Sequence, residues 1–155
     1  MWKQAPSGIL ECLTVDREVL CMGTRLGIHL EGPDRRQLQE ASSRVLEEMD
    51  RIEEACSTWR QDSLWARLNA AQGRPVHLDP EWLDLLEICQ SWSRRSGGAF
   101  DPCIRALMDA WAVREGGRTP AAGAVDRALQ ATGWHLLELD RQAGTARLGH
   151  PEAGL

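Results

Sequence analysis

The N-terminal stretch "MWKQAPSGILECLTVDREVL" lacks an apolar run long enough for a signal peptide or a membrane span, because Glu11, Asp16 and Arg17 interrupt it. The chain as written is therefore expected to stay in the cytoplasm. No basic stripe is present either. Basic residues are interleaved with a larger number of acidic ones, for a net charge of -5, so phosphates along a nucleic-acid backbone would go unneutralised. Nucleic acid is excluded as a partner on that ground. The cysteines, at 12, 21, 56, 89 and 103, are odd in number and show neither the CxxC spacing of a zinc or redox site nor the density of a disulfide scaffold. They read as reduced thiols, with Cys56 and Cys89 on apolar helical faces as small hydrophobes. Histidines 29, 77, 135 and 150 are scattered, without an HxxxH or HExxH pair or a cysteine partner, so no metal site is legible. There is no GxGxxG, GxSxG or Walker sequence, no internal repeat and no low-complexity linker.

What is present is an ordinary globular composition, 43% apolar and 26% charged over 155 residues, which is about one domain's worth. A single domain spanning 1–155 is expected. From Leu20 to Leu30, "LCMGTRLGIHL" alternates with period two, which predicts one strand with Gly23 and Gly27 on its far face. Over 34–59 the period changes. Leu38, Ala41, Val45, Met49, Ile52, Cys56 and Trp59 recur at three and four, the stripe of a long amphipathic helix packed on a sheet, with Asp34 and Gln37 as a capping box.

Further on, Asp62 or Ser63 opens a short helix, and Asp79 with Pro80 opens another that Arg94, Arg95 and Gly97 close. Asp101 with Pro102 predicts a helix through "CIRALMDAWA", and Thr119 with Pro120 one that stops at Gly133. The tail "WHLLELDRQAGTARLG" reads as a hairpin. Three strands beside four or five helices predict an α+β fold, a small mainly antiparallel sheet against helices, incomplete at the C-terminus.

Two stretches have chemical content. In "SGGAFDP", Gly97 suits the left-handed end of a helix, Gly98 permits a turn, and Phe100 is the only phenylalanine. Asp101 either caps the next helix and does nothing more, or the turn presents main-chain groups and a carboxylate to the hydroxyls and amide protons of a ligand. In "STWRQDS", Trp59 is either the last rung of the apolar stripe or an end-of-helix platform for a purine or flavin ring, worth about 1–3 kcal/mol by analogy with base stacking. The tryptophans at 65, 82, 92, 111 and 134 mostly continue apolar faces and are expected in the core.

Taken in series, "CMGTRLGIHL", "STWRQDSLWARLNAA", "SGGAFDPCIRALMDAW" and "LELDRQAGTARL" resemble the FAD:protein FMN transferase (ApbE) family, in its order and spacing, from about Val19 to the end. The resemblance implies binding of FAD, magnesium-dependent cleavage of its diphosphate, and transfer of FMN to a Ser or Thr of an acceptor protein. That acceptor is expected to be a membrane redox subunit, and many members of the family are exported. It further implies an FAD site lined by Met22, Trp59, Ala99, Phe100 and Asp101, with Asn69 structural. The metal ligands and catalytic groups of the family lie in a part that corresponds to sequence beyond Leu155, so no catalytic or metal-binding residue is expected within the chain. A non-catalytic flavin-binding or degenerate truncated module is the alternative.

The chain departs from the family pattern in "DPCIRAL", where Cys103 replaces Thr and Arg105 replaces Gly, and in "DAWAV", which has Ala at 110 and 112. Arg105 would either pair with a phosphate or block the pocket.

Overall fold

The computed structural model describes residues 12–155, so the leader reading lies partly outside the described residues. The described residues divide into two compact units, with the boundary between Ala55 and Cys56. The fold is α+β, with five helices and two small antiparallel sheets.

In the first unit, β1 (Leu13–Cys21) and β2 (Thr24–Gly32) form a hairpin whose register closes on Cys21 opposite Thr24. The single strand expected over 20–30 is thus two half-strands, and "MGT" is the turn between them. Met22 and Gly23 both have positive φ, 50° and 74°. A two-residue loop with both centres left-handed matches the right-handed twist of the flanking strands, and glycine at its second position fits that geometry. The phase of the alternation inverts at the turn: Val19 and Cys21 of β1 share the more sheltered face with Leu26, Ile28 and Leu30 of β2, while Leu20, opposite Arg25, is exposed.

Helix α1 (Arg35–Cys56) begins as its sequence signal indicates, with the Asp34 carboxylate accepting from the N–H groups of Arg36 and Gln37. It bears on the hairpin through Leu38, whose side chain lies 3.2 Å from where a Cβ on Gly32 would stand, and through Glu53, which accepts the Met22 N–H at 3.1 Å. The helix ends three residues before Trp59, so that ring belongs to a loop and not to the helical stripe.

The second unit is built around α2 (Leu64–Ala70) and α3 (Pro80–Arg95), with Leu68, Trp82, Leu83 and Leu86 buried. Trp65 meets Trp82 edge to face at 6.1 Å, a favoured geometry for the ring quadrupoles. The expected tail hairpin is present as β4 (Leu137–Asp140) and β5 (Thr145–Leu148), turning at Gly144 with φ 65°. A short third strand, β3 (Val76–His77), pairs with β5, giving the order β3-β5-β4. Ala146 and Leu148 of β5 are buried, and Gln90 of α3 donates to the Leu137 carbonyl at 2.6 Å. Ser63 N-caps α2 by accepting the Ala66 N–H; Asp79 stands at the N-cap position of α3 but makes no side-chain cap.

Two expected helix starts move. Helix α4 covers Arg105–Ala110 only, and α5 covers Ala124–Gln130, beginning at Gly123 and not at Pro120. Asp101 serves a turn ahead of α4, accepting the Cys103 N–H. The tryptophans also divide: Trp65 and Trp82 are core, whereas Trp92 and Trp111 are about half exposed. No described helix is long and apolar enough to cross a membrane. All five cysteines are free thiols.

Candidate functional site

The loop that carries Trp59 is shaped from below by one hydroxyl. Ser63, 2% exposed, donates to the Ser57 carbonyl oxygen at 2.5 Å while its oxygen caps α2, so the chain from 57 to 63 closes on itself and projects residues 58–62 outward. Trp59 is 71% exposed there. An indole that open is stabilised only on the face Arg114 covers: the guanidinium carbon stands 4.5 Å from the ring centroid. Arg114 in turn donates from Nη1 to the Thr58 carbonyl oxygen at 3.0 Å and from Nη2 to Thr58 Oγ1 at 2.6 Å. Its Nε is buried without an acceptor among the described residues.

Trp59 stands on the wall of a cleft of about 720 Å³ formed by its own loop, α2, α4, α5 and residues 151–152. This volume is in the range of small-ligand sites. Asn69 faces the same cleft, yet its amide is committed. Its Nδ2 donates to the Leu155 carbonyl and its Oδ1 accepts the Leu155 N–H, which makes it a structural clasp, as expected. Arg105 lines the cleft with its stem laid along Gly154, where an added Cβ would stand 2.4 Å from its Cδ, and its Nε is 3.4 Å from the Asp109 carboxylate.

The glycine turn is a second, separate feature of the same unit. Helix α3 ends in a Schellman arrangement: Gly98 N–H donates to the Ser93 carbonyl at 2.8 Å, Gly97 N–H to that of Arg94 at 3.2 Å, and both glycines have positive φ. Ser96 Oγ then accepts the Phe100 N–H at 3.0 Å, presenting Ala99 and Phe100 at the surface, the latter 46% exposed. Asp101 is occupied in a way local pattern did not indicate. One carboxylate oxygen accepts the Cys103 N–H at 2.8 Å and the other the Trp134 N–H at 2.9 Å, while Gly133 N–H donates to the Cys103 carbonyl. Asp101 is therefore not the N-cap of α4, whose N-cap is Ile104; it joins its turn to the segment that leads into β4. Beneath it, Cys103 is fully buried, and burial with the nearby Asp101 carboxylate pushes its thiol up to about 12, so it stays protonated and inert.

The structure thus sets Trp59 on the cleft wall, while residues 99–101 are outside the cleft's lining. Met22 belongs to the first unit, on the hairpin turn, its backbone fixed by Glu53 and its side chain 45% exposed. Arg114 and the arginines of the cleft carry no sequence signature; Arg114 meets Trp59 across 55 positions of chain. Among the described residues no group of three or more His, Cys, Asp or Glu could hold a metal ion.

The chain is similar to known proteins along most of its length. The ApbE family profile matches residues 22–155. An FAD:protein FMN transferase of Chlamydia muridarum is 29% identical over 121 residues, 77% of this chain and 38% of that protein. One from Klebsiella pneumoniae is 27% identical over 127 residues, 79% of this chain and 36% of that protein. The chain thus spans well under half the length of these curated relatives. Among solved structures, the ApbE protein of Thermotoga maritima superposes with a TM-score of 0.84 at 20% identity, over 92% of this chain and 47% of that one. The apo flavinyl transferase ApbE of Pseudomonas stutzeri superposes with a TM-score of 0.75 at 22% identity, over 93% and 46% respectively. With its fold matched by these structures and its sequence by the profile over nearly its whole length, the chain belongs to the ApbE family.

Proposed function

We propose that this chain, as one FAD-recognising domain over 1–155, serves an FAD:protein FMN transferase. In the reaction, a Ser or Thr hydroxyl oxygen of an acceptor protein attacks the FMN-side phosphorus of FAD. A new P–O ester bond forms, the diphosphate P–O bond breaks, AMP leaves with the electron pair, and the hydroxyl proton passes to a base. That base, and the ligands of the magnesium ion, would stand outside the described residues. A membrane redox subunit is the acceptor this reading favours.

Recognition is the task assigned to these residues. Trp59 offers one open ring face for stacking, its other face being covered by Arg114. Ala99 and Phe100 offer main chain and a half-exposed ring on the glycine turn. Asp101 keeps a lone pair on each oxygen after accepting one N–H apiece, so it remains able to take a ligand proton, and Met22 is held at a rigid turn. The observation that carries the reading is the exposure of Trp59: an indole 71% open in an ApbE-family loop, backed by a fixed guanidinium.

The test is transfer by the protein in its full coding frame, with FAD, magnesium and a peptide bearing a Ser or Thr, read as covalent flavin fluorescence on a denaturing gel. Labelled peptide supports the transferase. FAD binding without any labelling supports the non-catalytic flavin-binding module instead. The 155-residue chain alone should label nothing.

A further inference from the structure

We propose that the outward face of α3 is a self-association surface, on which a second copy of this chain packs antiparallel about a two-fold axis at Ile88. The helix is anchored from its other side, through Trp82, Leu83, Leu86 and Ser93, all buried. Outward stand Glu81, Asp84, Ile88, Trp92 and Arg95, each exposed. Helical positions three and four apart share one face, so these residues form a single stripe about 21 Å long. Ile88 is 54% exposed and Trp92 52%. Two large apolar side chains open to water one turn apart are the kind of centre around which partner surfaces form. The stripe lies outside the lining of the cleft beside Trp59.

Spacing and charge order together name the partner. From Glu81 to Arg95 the steps are three, four, four and three residues, the same in either direction, with Ile88 at the midpoint. Acids occupy the N-terminal half of the helix, and Arg94 and Arg95 its last turn. That order also suits the helix macrodipole, but the dipole gives no reason for an exposed isoleucine and tryptophan between the charges. A copy turned end for end about Ile88 brings its Arg95 to the level of Glu81 and its Glu81 to the level of Arg95, with the two Ile88 side chains in contact at the axis. Every favourable contact then occurs twice, as in any isologous interface. A parallel arrangement would set Glu81 against Glu81 and Arg95 against Arg95, and like-charge contacts disfavour it.

The middle of the stripe is prepared for burial. The Arg95 guanidinium carbon stands 4.6 Å from the Trp92 ring centroid, which keeps cation and indole together. Arg141, just after β4, pairs with both Asp84 and Glu87. Those pairs offset charge next to Ile88 and leave Glu81 and Arg95 to set the orientation of the two copies. A face of this size makes a transient dimer that forms with rising concentration.

Sedimentation velocity of the protein in its full coding frame, from about 1 μM to about 1 mM, tests this. Wild type should pass reversibly from monomer to dimer. Glu81→Lys and Arg95→Glu each create two like-charge contacts and should each weaken dimerisation at least about tenfold, while Ile88→Glu, which sets two carboxylates against each other at the axis, should abolish it. Thermal melts should stay close to wild type, because all three side chains are exposed. Mixing Glu81→Lys with Arg95→Glu in equal amounts sets opposite charges against each other at both ends again, so the mixture, and the double variant alone, should regain association. Recovery on mixing also excludes misfolding as the cause of each single loss. A monomer at every concentration overturns the proposal, as does a dimer indifferent to these substitutions or a loss that mixing does not repair. Dimerisation of the 155-residue chain but not of the protein in its full coding frame also overturns it, since the rest of the polypeptide would then cover the face.

Discussion

The guanidinium of Arg114 lies over the ring of Trp59 at 4.5 Å while its two terminal nitrogens grip the carbonyl and hydroxyl oxygens of Thr58. One side chain therefore fixes both the backbone before the indole and the indole itself. A cation over an exposed indole contributes about 0.5–1 kcal/mol, and hydrogen bonds from a charged donor add roughly 1.5–3 kcal/mol when sheltered. Arg114 is only half-buried, so the lower end applies. Arg114→Ala should lower the melting temperature by about 2–6 °C. Arg114→Lys keeps the charge but not the fork to Thr58, and should fall between wild type and Ala in both melting temperature and FAD affinity. Equal FAD affinity in all three proteins would mean that the clamp does not serve the site.

Asp101→Asn should destabilise the protein, although asparagine is as good an N-cap as aspartate. The two carboxylate oxygens each accept a backbone N–H, from Cys103 and from Trp134. An amide must turn its NH₂ toward one of these donors, leaving a donor facing a donor at a cost of about 1–3 kcal/mol. A melting temperature lowered by roughly 2–10 °C is expected. An unchanged melt would show that the link to Trp134 contributes nothing.

How much of this was legible in advance depends on how far apart the participants are in the chain. Asp34, Ser63, the tail hairpin and the Schellman glycines 97 and 98 act within a few residues of themselves, and the patterns around them predict what they do. The turn at Met22 is hidden because Leu20, Met22, Leu26, Ile28 and Leu30 all fall on even positions, whereas the two-residue loop inverts the phase and sets Leu20 opposite Arg25, on the face away from Leu26. The helix start expected at Asp101 and Pro102 differs for the opposite reason. The second acceptor role of Asp101 is fulfilled 33 positions away, while the Asp-Pro pair imitates a helix start. Trp59 was identified as a candidate, but its arginine partner and the cationic cleft arise only when α4 and α5 come together.

The first hairpin should respond to pH through His29. Its ring nitrogens are 2.6 Å from Asp16 and 3.1 Å from Glu31, and the hydrogen bond to Asp16, followed by that to Glu31, raises its pKa above the ordinary value. A raised folded-state pKa favours the protonated form in the fold, so the contribution is complete below the unfolded value of about 6.5 and is lost as pH climbs through the folded value. Amide exchange in β1 and β2 should therefore be faster at pH 9 than at pH 6 after correction for intrinsic rates. His29→Gln should remove that difference, and high salt should shrink it because the cluster is exposed. A pH response unaltered by the substitution would assign it to another group.

Cys103 should resist alkylation in the folded protein. It is fully buried and its thiol is pushed up to about 12, so thiolate is scarce at neutral pH and the sulfur is inaccessible. Iodoacetamide at pH 7.5 followed by peptide mass spectrometry should modify exposed Cys12 and leave Cys103 intact until denaturant is added. Rapid native labelling of Cys103 would show that the segment beneath Asp101 opens readily.

The account rests most heavily on Trp59 as the platform for a flavin nucleotide, and isothermal titration of FAD into the wild-type chain and Trp59→Ala measures that directly. Loss of a stacking contact of about 1–3 kcal/mol predicts saturable wild-type binding that weakens about five- to 150-fold in the variant, with little change in melting temperature because the ring is exposed. Absence of wild-type binding, or equal affinities in the two proteins, would contradict it.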